Sequence, residues 1–224
     1  MKAKAKDEGP VIYLVDDDDA VRDSLGMLFK SIGLKHEAYA SALDFLEGYN
    51  RARHSCLVAD IRMPGLSGLE LQQRLNDEHS EIPIIFITGH GDVPMAVTAM
   101  KSGAADFVQK PFRDQDLIDR INKALARDLD RRKSRAEQDE IRGRIALLTP
   151  REKEVMERVA RGQANKVIAM DLGVSQRTVE LHRARVMKKL RMRSVAELVH
   201  AIDRIGGVAK AEATATAPGT AAAK

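Results

Sequence analysis

The chain has a single cysteine, no tryptophan and, with three tyrosines and five phenylalanines, few aromatic residues of any kind. One cysteine cannot form an intramolecular disulfide, and Cys56 lies within an apolar run, so it reads as a reduced core residue. No stretch approaches the ~18 consecutive apolar residues that a membrane span requires. The N-terminal Met1–Glu8 segment is basic but has no apolar h-region, so no secretory leader and no membrane partner are expected, and the expected compartment is cytoplasmic. The six histidines include neither a His-x-x-x-His pair nor a Cys/His cluster, which argues against a zinc site. What is present is an ordinary globular balance over 224 residues, with 44% hydrophobic and 31% charged side chains, enough for one large or two small cores.

The net charge of +4 conceals an asymmetry. Residues 1–126 carry 15 Lys/Arg against 20 Asp/Glu, a balance of −5, whereas residues 127–224 carry 22 against 13, a balance of +9. An acidic half followed by a basic half points to two domains with different partners, the second facing a polyanion.

In the acidic half, short apolar runs alternate with amphipathic helical patterns. Val11–Val15 reads as a buried strand, and Val21, Leu25, Leu28, Phe29 and Ile32 share a helical face. A short strand near 36–39 precedes a helix capped by Ser41 and ending near Gly48. Further strands are expected at 55–59, at 84–87 after Pro83, and near 105–108, with helices at about 94–101 and from Asp114, the last burying Leu117, Ile121 and Leu125. Apolar strands alternating with helices predict an α/β fold, a doubly wound parallel five-stranded sheet. Residues 127–147 read as a charged helical linker, in which continuation of the preceding helix stays open. From 148 to 206 the pattern predicts an all-α four-helix domain. Thr149-Pro150-Arg151-Glu152 and Ser194-Val195-Ala196-Glu197 read as capping boxes, Gly162 and Gly173 as helix stops, and Ser175 as an N-cap. The Gly/Ala/Thr-rich tail, 207–224, has no periodicity and reads as disordered.

In a doubly wound sheet, ligands bind beyond the carboxyl ends of the strands where the order reverses. Asp16-Asp17-Asp18-Asp19 follows the first strand, Asp60 ends the third, Thr88 ends the fourth and Lys110 follows the fifth. With strand order 2-1-3-4-5 the carboxylates of the first and third strands converge. Clustered carboxylates repel unless a cation neutralises them, and hard oxygen ligands suit Mg²⁺. Such a site fits phosphoryl transfer, with one carboxylate as nucleophile and the metal, a lysine and a hydroxyl balancing phosphate charge.

These residues carry a resemblance. Leu14–Asp18, Val58–Gly65, Ile87–Asp92 and Lys110-Pro111-Phe112 resemble the receiver domain of two-component response regulators (flavodoxin-like) over about residues 10–126. The resemblance implies phosphorylation on Asp60 by a sensor histidine kinase, with Asp16, Asp17, Asp60 and the carbonyl of Arg62 around Mg²⁺. Thr88 and Lys110 would contact the phosphoryl group, Phe107 would be an aromatic switch residue, and the Lys110–Pro111 bond would be cis. A rival reading rests on Asp17-x-Asp19-x-Val21, which is similar to the nucleophile motif of haloacid-dehalogenase-type phosphatases. It leaves Asp60, the Met-Pro-Gly turn and the basic half unexplained.

The basic half resembles the helix-turn-helix of the LuxR/NarL/FixJ type, through Leu148–Glu152, Ala164–Ala169 and Val174–His182, and the whole chain resembles the FixJ subgroup most. Helical geometry adds its own support: Val179, Val186 and Leu190 fall on one side of the third helix, with His182 at the edge. Arg177, Leu181, Ala184, Arg185, Lys188 and Arg191 fall broadly opposite. A small residue permits close approach in the major groove, an apolar one can meet a thymine methyl, and bases suit phosphates and guanine edges. The expected DNA-binding set is Lys166, Ser175, Arg177, Thr178, Leu181, His182, Ala184, Arg185, Lys188 and Lys189. The fourth helix is richer in apolar residues than a small core needs, and the resemblance makes it a dimer face. The expectation is therefore a transcription regulator, not an enzyme, that is phosphorylated, binds double-stranded promoter DNA as a homodimer and acts as an activator, with RNA polymerase as a possible partner. A regulator whose receiver serves only as a dimerisation or docking module stays open.

Overall fold

The computed structural model describes residues 9–89 and 93–206, so the expectations for the N-terminal eight residues, for His90–Asp92 and for the 207–224 tail lie outside the described residues. The chain divides into two compact units, Met1–Arg132 and Lys133–Lys224.

The first unit alternates strands and helices: β1 (Val11–Val15), α1 (Asp19–Ser31), β2 (Lys35–Tyr39), α2 (Ala42–Gly48), β3 (Ser55–Asp60), α3 (Gly68–Asp77), β4 (Ile84–Thr88), α4 (Val93–Lys101), β5 (Asp106–Gln109) and the first part of α5 (Asp114–Ala146). All four strand pairings are parallel, in the order β2-β1-β3-β4-β5. The sheet is covered on both faces, which is why β1, β3 and β4 read as unbroken apolar runs rather than as alternations. Side-chain period two nevertheless sorts them. Val11, Tyr13 and Val15 join Leu57, Ala59 and Phe86 in one core layer, while Ile12 and Leu14 join Val58, Ile85 and Ile87 under α1 and α5 in the other.

Helix α3 has no counterpart in the residue-by-residue reading, although Ser67 and Glu70 form a complete capping box at its start. The expected Ser194–Glu197 box is half formed: Ser194 Oγ accepts from the Glu197 N–H at 3.1 Å, but the Glu197 carboxylate accepts from the N–H of Arg193.

Helix α5 runs unbroken through the charged linker to Ala146. The first unit extends past residue 126 for a chemical reason. Asp128 is fully buried and accepts from the N–H of Ser55 at 3.2 Å and from Arg131 and Arg132 at 2.6 Å each. Arg132 also donates to the carbonyls of Ala52 and Arg51, tying this turn of α5 to the loop before β3.

The second unit contains α6 (Pro150–Ala160), α7 (Asn165–Leu172), α8 (Gln176–Leu190) and α9 (Val195–Arg204). Val155, Val159, Ile168, Val179, Val186, Leu190, Leu198 and Ile202 form its core. Thr149 and Glu152 make a full capping box on α6. Gly173 closes α7 with φ +64°, the left-handed conformation that only a residue without Cβ adopts without strain. Arg191, expected within the third helix, instead ends it as a left-handed C-cap with φ +57°, so it leaves the helical face on which sequence spacing put it.

Candidate functional site

The carboxyl ends of β1, β3 and β4 meet the residue after β5. Asp16, 2% exposed, follows β1; Asp60 is the last residue of β3; Thr88, 3% exposed, is the last of β4. Lys110 Nζ lies 3.1 Å from Asp16 Oδ2 and 3.3 Å from Asp60 Oδ1, so one ammonium serves both carboxylates. The backbone supports this convergence. The Lys110 N–H donates to the Thr88 carbonyl at 2.7 Å, and the Ile61 N–H to the Ile87 carbonyl. Asp60 Oδ2 accepts from the Arg62 N–H at 2.9 Å, and Asp16 Oδ1 from the Asp18 N–H at 3.0 Å. The Lys110–Pro111 peptide bond is cis. Phe107, on β5, is half-buried against the core layer that contains Phe86.

The acidic run divides its labour. Asp16 enters the site; Asp18 caps α1 by accepting from the Ala20 N–H at 2.8 Å; Asp19 pairs with Arg22; and Asp17 is exposed beside Asp16. Burial pushes the Asp60 carboxyl above the usual carboxylate range, and the Asp16 charge adds to it, while Lys110 and the Arg62 N–H pull the other way. For Lys110, burial acts to lower the ammonium pKa, but the hydrogen bonds and charges of Asp16 and Asp60 outweigh it and the net shift is upward. The pair is therefore a carboxylate made more basic than usual beside a firmly cationic lysine.

The donor set suits Mg²⁺. Among the described residues no group of three or more His, Cys, Asp or Glu side chains is placed to hold an ion by itself. Mg²⁺ does not need one, since it usually takes one or two carboxylates and completes its octahedron with waters and phosphate oxygens. Asp16 and Asp60 converge on Lys110, and Arg62 lies in the loop that follows Asp60. Asp17, next to Asp16 in sequence, has its side chain exposed and is not gathered with the other two carboxylates.

One residue of the site has no place in the expected set. Gly68 opens α3, and its N–H donates to the Ile61 carbonyl. A Cβ there would meet the carbonyl oxygen of Asp60 at 2.3 Å, with Phe86 and the Ile61 backbone at 3.0 and 3.1 Å. The sequence signal was the Ser67-Gly68-Leu69-Glu70 cap, which marks a helix start but not what it leans on.

In the second unit, α7 and α8 are joined by the Gly173-Val174-Ser175 turn. Val179, Val186 and Leu190 are buried, as their spacing predicts. Opposite them Arg177, Ala184, Arg185 and Lys188 are exposed and Leu181 is 50% exposed, while Lys166 is exposed on α7. Ser175 and Thr178 are committed locally: Ser175 Oγ accepts from the Thr178 N–H at 3.1 Å and lies 2.8 Å from its hydroxyl. His182 is half-buried, with its Nδ1 enclosed and unpartnered among the described residues. Lys189 is engaged within its own unit, with Nζ 2.6 Å from Glu152 Oε2 and 3.3 Å from the Leu147 carbonyl. Sequence spacing missed two further features of α8. Arg183 reaches across to α7, donating to Asn165 Oδ1 at 2.5 Å. Glu180 stands exposed between Arg177 and Ala184.

Comparison with known proteins agrees with this division. Residues 12–122 match the response regulator receiver domain, and residues 146–202 match the bacterial regulatory proteins of the luxR family. The chain is 46% identical over 196 residues to Nodulation protein W of Bradyrhizobium diazoefficiens, covering 88% of this chain and 86% of that protein. It is 46% identical over 201 residues to the transcriptional regulatory protein FixJ of Azorhizobium caulinodans, covering 90% and 95%. Among solved structures, the response regulator StyR superposes with a TM-score of 0.79 at 45% identity, covering 87% of this chain and 98% of that one.

Proposed function

The chain belongs to the two-component response regulators of the NarL/FixJ type, transcriptional regulators with a LuxR-type DNA-binding domain, and from that premise we propose that phosphorylation of Asp60 is its switch. The observation that carries this reading is the single ammonium of Lys110 held between Asp16 and Asp60, where the carboxyl ends of β1, β3 and β5 come together. Asp60, made more basic by burial, attacks the phosphorus of a sensor kinase's phosphohistidine as the P–N bond breaks, leaving an acyl phosphate on its carboxylate. Lys110 stays beside the oxygens that gain charge, and Thr88 ends β4 within the same pocket to meet one of them. Mg²⁺, held by Asp16, Asp17, Asp60 and the Arg62 carbonyl, would supply the remaining neutralising charge.

Movement of Lys110 or Thr88 toward a phosphoryl group shifts the β4–β5 backbone they share and with it Phe107, which is how the pocket would bias the receiver between two states. The basic unit then binds promoter DNA as a homodimer in the cytoplasm, with α8 in the major groove and α9 at the dimer face, and activates transcription through contact with RNA polymerase.

The test is incubation of the full-length protein with acetyl phosphate and Mg²⁺, followed by mass spectrometry, sedimentation and binding to promoter-containing duplexes. One added phosphoryl group, lost in Asp60→Asn, with a monomer-to-dimer shift and tighter DNA binding, is the expected result. Equal labelling of Asp60→Asn overturns the site, and a constitutive dimer with phosphate-independent DNA affinity overturns the switch in favour of a docking role for the receiver.

A further inference from the structure

We propose that Glu180 is a specificity determinant of the DNA-binding helix, reading the N4 amino group of a cytosine in the major groove. The proposal rests on the reading of α8 as the helix that enters DNA. Glu180 is exposed in the N-terminal half of α8, the part of a recognition helix that contacts base edges. At 3.6 residues per turn it sits about 60° from Arg177 and about 40° from Ala184, on the rim of the face that also carries Leu181 and Lys188. Arg177, Thr178, Glu180 and Leu181 line one recess of about 290 Å³.

A carboxylate on that face is costly, because it approaches a surface of phosphates, unless it accepts a hydrogen bond there. Neither neighbouring arginine neutralises it. Among the described residues Glu180 makes no ion pair with Arg177, one turn before it, and Arg183, one turn after it, is spent on Asn165. The acceptor is thus left uncommitted within a cationic face. In the major groove the exocyclic amines are donors, on cytosine N4 and adenine N6. Adenine sets its N7 acceptor beside N6, which repels a carboxylate, whereas cytosine presents N4 alone. The chemistry therefore selects cytosine, in duplex DNA, at one base pair of each half-site.

The experiment is selection of random duplexes by the full-length protein, with and without Mg²⁺ and beryllofluoride, followed by isotherms for the wild type, Glu180→Gln and Glu180→Ala on the enriched sequence and its single-base variants. For the wild type, replacing one particular C·G pair should weaken binding about 5- to 150-fold. In Glu180→Ala that penalty should fall below about twofold while penalties at other positions persist, and Glu180→Gln should admit adenine at the same position. Equal gain of affinity by Glu180→Ala on every sequence, with all C·G penalties retained, overturns the proposal and leaves Glu180 as repulsion only. A wild type that enriches no sequence at all overturns instead the reading of α8 as a sequence-reading helix, and Glu180 with it.

Discussion

Gly68 packs so tightly against Asp60 that a Cβ on the glycine would stand 2.3 Å from the aspartate's carbonyl oxygen. The obstructing atom is backbone at the end of a buried strand, not a side chain that can swing away. Helix α3 can begin where it does only because its first residue has no Cβ, and that start closes the loop from which Arg62 donates to Asp60.

Gly68→Ala should therefore act on both stability and chemistry. Overpacking of this kind typically costs about 1–3 kcal/mol, which thermal denaturation will read. The more telling readout is the rate of labelling by acetyl phosphate at a temperature where the variant is fully folded. A displaced Asp60 loop predicts slower labelling there. A variant that is less stable but labelled at the wild-type rate would make Gly68 a packing residue without influence on the site.

Asp60 also predicts a pH-dependent effect. Its carboxyl is raised above the ordinary value in the folded chain, mainly by burial, so the folded state binds its proton more tightly than the unfolded state does. A raised acid costs stability once the pH exceeds the folded pKa, and the cost disappears below the unfolded pKa. Asp60→Asn should consequently raise the melting temperature of the receiver at neutral pH, and the gain should shrink as the pH falls through the carboxylate range. Melting curves from pH 7 down to pH 3.5 check this. A gain that grows toward acid reverses the sign and removes burial as the cause.

The limits of legibility follow from what periodicity encodes. The buried strands, the core stripe of α8 and the convergence of Asp16 and Asp60 were legible because they depend on apolar runs, on helical spacing and on where strands end, whereas the strand order entered as an assumption that periodicity does not encode. Helix α3 was not, because its start signal, Ser67 with Glu70, lies next to a loop whose motif drew the reading elsewhere. The close approach of Gly68 to Asp60 has no one-dimensional trace. That the first compact unit runs on to Arg132 depends on a buried carboxylate, Asp128, and in a segment dense in charges nothing marks one as interior. The expected DNA-binding set likewise gave Lys188 and Lys189 the same role, since the sequence could not show that Glu152 had claimed one of them.

Glu152 sets an acid limit on the second unit. Its pKa is drawn from the ordinary 4.5 down to about 2, first by the hydrogen bond from Lys189 and then by the Thr149 N–H. A depressed acid stabilises the fold above its unfolded pKa and loses that contribution as the pH falls through the folded value. The helical unit should lose stability between about pH 4.5 and pH 2, and Glu152→Gln should flatten that window while costing about 1–2 kcal/mol at neutral pH. Urea titrations followed by the methyl signals of Val155 and Met156, both buried in this core, report the unit directly. An unchanged acid profile in Glu152→Gln would assign the window to other groups.

Lys188 and Lys189 adjoin each other near the end of α8, yet they should fail in different ways. Lys188 is exposed on the face that carries Arg177, Leu181 and Ala184, so it is placed to neutralise a phosphate. Losing one phosphate contact releases about one fewer counterion, and the slope of log K against log salt should flatten by roughly 0.9, nearly alike on specific and scrambled DNA. Lys189 instead holds the nearly buried Glu152 carboxylate at 2.6 Å. Lys189→Ala leaves that acceptor without its charged partner, so it should lower stability by about 1–2 kcal/mol and leave the salt slope almost unchanged while the domain is folded. Leu181→Ala separates a third behaviour: loss of an apolar contact to a thymine methyl keeps both slope and stability and relaxes preference at one base pair by roughly 1 kcal/mol or more. Isotherms at several salt concentrations, paired with a denaturation curve for each variant, resolve the three. Should Lys189→Ala flatten the slope as much as Lys188→Ala does, the Glu152 pair must open when α8 meets DNA, and the capping box at Thr149 would then be coupled to DNA binding.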